Sequence, residues 1–90
     1  MREYQQYIGG EWAGSGRLFD DLDPYRGTVM ARIPAGTRAD AAHAVDAAAA
    51  AFPGWADLPP AEKQALFLRA ADITERRASE ITALLAAETG

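Results

Sequence analysis

The rhythm of apolar and polar positions changes once along this chain, at Gly36. Before that point the pattern is strand and turn. In "YIGGEW" (7–12), Gly9-Gly10 separates two short aromatic-flanked runs. That is a two-residue hairpin signal, because glycine reaches positive φ without steric cost. "AGSG" (13–16) reads as a second turn, and "RLFDDLDP" (17–24) alternates weakly, with Leu18, Asp20 and Leu22 against Phe19 and Asp21. "DPYRG" (23–27) reads as a turn in which Pro24 presets φ and Gly27 takes the left-handed position. The strand signal is clearest in "TVMARI" (28–33), where Val29, Ala31 and Ile33 share one face and Thr28, Met30 and Arg32 the other.

After Gly36 the spacing becomes helical. Thr37-Arg38-Ala39-Asp40 has the form of a capping box, with Asp40 a short return arm. Ala41, Ala44, Val45, Ala48 and Phe52 follow at helical spacing, and Pro53-Gly54 is expected to stop the run. The inward side of this helix is nearly all alanine, which allows close approach of a neighbouring element and predicts tight packing in the assembled protein. Pro60 suits the first turn of a second helix, with Glu62 beside its positive end. Leu66, Ala70 and Ile73 form its apolar stripe, flanked by Phe67 and Ala71. Asp72/Arg76 and Arg76/Glu80 are four apart and suit an exposed face. A break or bend is expected near Ala78-Ser79. Ile81, Leu84 and Leu85 carry the stripe on to a stop at Gly90.

Composition makes this picture less self-sufficient. Ninety residues give one domain at most, and 21 of the apolar residues are alanine. The core is therefore expected to be thin, as in an oligomer, a stapled domain or part of something larger. Cysteine is absent, which removes disulfides, thiolate metal sites and thiol nucleophiles. The net charge of −4, with acids and bases interleaved, offers no basic surface for nucleic acid. "MREYQQY" (1–7) has no apolar signal core and no run approaches membrane-spanning length, so a soluble, cytoplasmic product is expected, with no nucleic-acid or membrane partner.

Candidate chemistry is sparse. His43 stands three residues from both Asp40 and Asp46, but positions six apart on a helix do not converge on one small ion. The pattern reads as a solvated polar face. Gly9, Gly10, Gly14 and Gly16 lack the strand, helix and Lys-Ser/Thr of a phosphate loop, and read as turn chemistry. Asp20, Asp21 and Asp23 lack the glycine and distal glutamate of an EF-hand and read as a charged strand end. Ser15 and Ser79 have no histidine in a triad pattern, and Trp12 and Trp55 beside turns read as packing anchors. The residues themselves contain no catalytic constellation.

The ordered series is more informative than any single piece. "YIGGEWAGSG", "FDDLDPYRGTVMARIPAGTRAD", "AAFPGWADLPPAEKQALFLRAADI" and "LLAAETG" together resemble the N-terminal segment of the NAD(P)-dependent aldehyde dehydrogenase superfamily, from Tyr7 to Gly90. Asp23 stands where that family more often has asparagine before the proline, and the family usually continues beyond Thr89-Gly90 with Lys-Pro. The resemblance implies an α/β parent enzyme. This segment would be a β-hairpin and strand region (1–36) followed by two or three helices (37–90), an incomplete part of the coenzyme-binding domain.

It further implies thiolate attack on an aldehyde, hydride transfer to NAD or NADP, and thioester hydrolysis. The cysteine, glutamate and asparagine that do this work, and the Rossmann-like strands that bind the coenzyme, have no matching positions here. No catalytic or cofactor-binding residue is therefore assigned, and the segment is expected to be inactive and marginally folded alone. Its partner would be the remainder of the parent, a homo-oligomer binding its aldehyde downstream. In part of the family a monovalent cation is held by backbone carbonyls, and the positions that match are Asp21 and Leu22. Two other readings compete: a non-enzymatic, family-derived interaction module presenting the alanine helix and the aromatic joint, and a metal-binding domain using His43.

Overall fold

A computed structural model describes residues 2–90. Five strands come first: β1 (Arg2–Glu3), β2 (Gln6–Ile8), β3 (Glu11–Ala13), β4 (Leu18–Leu22) and β5 (Val29–Pro34). Three helices follow: α1 (Arg38–Asp57), α2 (Pro60–Arg76) and α3 (Ala78–Thr89). The expected succession of strands and then helices is present, with three helices.

β2 and β3 form the hairpin, Ile8 opposite Glu11, with Gly9 and Gly10 at φ 61° and 81°. Two consecutive positive φ values define the turn whose twist matches the paired strands. A second, three-stranded sheet has the order β1-β5-β4. β4 and β5 are antiparallel, and the turn between them is closed by Gly27 N–H donating to the Asp23 carbonyl (2.7 Å) with Gly27 at φ 71°. β1 pairs parallel to β5, Arg2 opposite Ala31, and was not legible in the sequence. Two residues carry no periodicity, and their partner lies almost thirty positions away. The face of β5 expected to be apolar holds the one fully buried apolar side chain among the described residues, Ala31 at 3% exposure.

α1 begins at the expected capping box. Asp40 N–H donates to Thr37 Oγ1 (3.1 Å) and Thr37 N–H donates to Asp40 Oδ2 (2.9 Å). It does not stop at Pro53-Gly54, contrary to the sequence reading. Both residues lie inside the helix, which continues to Asp57. Pro53 removes one hydrogen bond, to the carbonyl four residues back, but its fixed φ is helical. The stop comes from Pro59, whose ring disfavours helical ψ at the residue before it. Leu58 is accordingly extended, at φ −65° and ψ 132°. Pro60 opens α2 as expected.

The break between α2 and α3 falls at Arg77, one residue before the expected place. Arg77 reaches forward to Glu80 in a two-pronged ion pair (Nε–Oε2 3.0 Å, Nη2–Oε1 2.6 Å). The expected Arg76–Glu80 pair is thereby replaced, while Asp72–Arg76 forms at 3.2 Å. α3 ends at Gly90 (φ 77°), whose N–H donates to the Ala86 carbonyl and which lies against Pro24 of the β4–β5 turn.

No helix has a buried residue. The molecule is a slab of 47 × 34 × 16 Å with a radius of gyration of 16.8 Å, against about 12 Å for a compact chain of this length. Its accessible surface is 7270 Å², where a globular monomer of this mass would expose about 5,100 Å². The thin core expected from the alanine content is what the fold contains.

Candidate functional site

The matched cation positions lie at the end of β4. Asp21 pairs with Ala31 and Leu22 with Val29, and the register shifts between them, so Met30 is the extra residue of a β-bulge. Successive side chains on β4 point to opposite faces, which separates Asp20 from Asp21. Asp20 pairs with Arg32 (3.6 Å). Asp23 Oδ1 accepts from the N–H groups of Tyr25 (2.9 Å) and Arg26 (3.2 Å), organising the turn before Gly27. Asp20 and Asp23 are thus engaged separately, and Asp21 points to the opposite face from Asp20. Among the described residues no three His, Cys, Asp or Glu side chains gather closely enough to hold a metal.

His43 is exposed on α1 and is not brought together with Asp40 in a ligand set. The Asp40 carboxylate belongs to the helix cap. The Thr37 backbone N–H, then the Gln6 amide and the Thr37 hydroxyl, hold its pKa below the usual carboxylate value. Ser15 Oγ donates to the Arg17 carbonyl (2.8 Å) and shapes the turn before β4, while Ser79 lies exposed in the first turn of α3.

Each tryptophan meets one other aromatic ring. Trp12 meets Tyr7 directly across the hairpin, ring centroids 4.8 Å apart and tilted at 54°. Trp55, near the end of α1, meets Phe67 of α2 edge-on at 6.0 Å, with Lys63 Nζ 5.3 Å from the indole centroid. These contacts fix the corner of the α1–α2 joint. They leave the rings open on the other side, Trp55 at 41% exposure and Phe67 at 64%.

Two open clefts flank the hairpin. One, of about 700 Å³, lies between Tyr7, Ile8 and the alanine side of α1. Gly9 lies beside α1, where an added Cβ would stand in ordinary contact, 3.7 Å from that of Ala47, while most of the alanine side of α1 stays exposed. The other, of about 740 Å³, is lined by Arg2, Tyr4, Gln5, Trp12 and Arg77 among others. Its two guanidinium groups are engaged, Arg77 with Glu80 and Arg2 over the Tyr4 ring at 5.0 Å. Gly9, Gly10, Gly14 and Gly16 sit in connections between strands, and Gly36, in the β5–α1 loop, leads into a helix N-terminus already capped by Thr37 and Asp40. The described residues therefore do not fit a nucleotide coenzyme by themselves.

Comparison with known proteins decides what this collection of supports belongs to. The family model described as "Aldehyde dehydrogenase family" matches residues 12–90. The chain belongs to the aldehyde dehydrogenase family. Within it, the chain corresponds to an N-terminal segment. It is 49% identical over 85 residues to a vanillin dehydrogenase of Pseudomonas sp. (strain HR199 / DSM 7063), covering 92% of this chain and 18% of that protein. It is 36% identical over 86 residues to a D-glyceraldehyde dehydrogenase (NADP(+)) of Thermoplasma acidophilum, covering 93% and 17%. It is 41% identical over 85 residues to an N-succinylglutamate 5-semialdehyde dehydrogenase of Caulobacter vibrioides, covering 93% and 18%. The chain thus spans less than a fifth of the length of these aldehyde dehydrogenases. No helix among the described residues is long and apolar enough to cross a membrane.

Proposed function

We propose that residues 1–90 are the first part of the coenzyme-binding domain of an NAD(P)-dependent aldehyde dehydrogenase, which oxidises an aldehyde to a carboxylic acid. The observation that carries this reading is the family match over residues 12–90, set beside a share of under a fifth of the relatives' length. The segment's role is architectural: it contributes a hairpin, a small sheet and outer helices, and no reacting group. NAD(P)⁺ would supply the hydride acceptor from a Rossmann-like portion that this chain does not include. The surface of about 2,200 Å² beyond that of a compact chain supports a large covering body. A standard interface hides only about 800 Å² per partner. The partner is the remainder of the same polypeptide, in a homo-oligomeric, cytoplasmic enzyme. At the end of β4, opposite the β5 bulge, the backbone carbonyls of Asp21 and Leu22 would face a monovalent cation in the complete protein.

The test is the intact mass of the native gene product, followed by aldehyde-dependent NAD(P)H formation. A mass several-fold above 9.6 kDa together with that activity is the expected result. A folded, monodisperse 9.6 kDa product without activity would overturn the assignment in favour of an interaction module.

A further inference from the structure

We draw no further inference here: the strongest candidate, the exposed aromatic corner of Trp55 and Phe67 where α1 turns into α2, restates the docking against the remainder of the polypeptide already proposed, and nothing in the structure shows any other occupant.

Discussion

Thr37 and Asp40 show what single residues contribute here. Each side chain satisfies the other's backbone N–H, so two of the donors left unpaired at the start of α1 find acceptors. Thr37→Ala should weaken the first turn by about 1 kcal/mol, visible as faster amide exchange over residues 38–41 and unchanged exchange in α2. The Asp40 carboxyl is held below its ordinary value of 3.8, chiefly by the Thr37 backbone N–H. A carboxylate with a depressed folded pKa stabilises fully above its unfolded pKa and ceases to do so as pH falls through the folded value. Protection of the first turn should therefore persist at neutral pH and decline from about pH 4 downward. In Asp40→Asn this dependence should vanish. In the hairpin the limiting factor is backbone conformation rather than space. Nothing lies within 4 Å of a Cβ added at Gly10, yet its φ is 81°. Gly10→Ala should cost about 1 kcal/mol, and Gly10→Asn less, read as loss of Tyr7–Trp12 cross-strand contacts by NMR.

At the scale of elements, prolines matter by position. Pro53 lies within α1 and Pro59 ends it, although each breaks one backbone hydrogen bond. Pro53 sits in the last turn and a half, where few bonds remain to lose. Pro59 acts through Leu58, which it excludes from helical ψ. Pro53→Ala should therefore increase helical circular dichroism, with a gain no larger than about 3 kcal/mol. Pro59→Ala should instead release Leu58 to join α1, moving the break to the residue before Pro60 and shifting Trp55 relative to Phe67. A tryptophan emission shift in Pro59→Ala, absent in Pro53→Ala, is the expected readout. The break at Arg77 involves neither proline nor glycine. It coincides with the Arg77–Glu80 pair, whose partners are both largely exposed and whose contribution salt will reduce.

The molecule as a whole is a set of well-formed elements with little between them. Local hydrogen bonding can complete a capped helix or a glycine hairpin, but a core requires facing layers. Here the apolar stripes of α2 and α3 stay partly exposed, and Trp55 and Phe67 meet edge-on with Lys63 over the indole while both rings remain open to solvent. Trp55→Ala should consequently have little effect on the denaturation midpoint of the 90-residue chain. In the proposed full-length enzyme, where the ring would be covered, the same substitution should cost about 3 kcal/mol or more. Equal effects in the two contexts would contradict docking at this corner.

The sequence by itself determined most of the features whose cause is local. The Gly9-Gly10 hairpin, the Asp23–Gly27 turn, the apolar face of β5, the Thr37–Asp40 cap, the start at Pro60 and the stop at Gly90 each depend on contacts within a few residues. Glycine, proline and short polar side chains leave a direct trace of such contacts. The ordered series of these elements was also sufficient to indicate the family. Other features were decided only by the tertiary structure. The parallel pairing of β1 joins Arg2 to Ala31 across the chain and has no periodicity to announce it. The passage of α1 through Pro53, and the preference of Glu80 for Arg77 over Arg76, depend on geometry that spacing rules average over. The candidate cation positions carried no side-chain signature, because backbone ligation uses a group that every residue possesses. What lies against the open faces of α1, α2 and α3 depends on long-range packing, which no local pattern in ninety residues encodes.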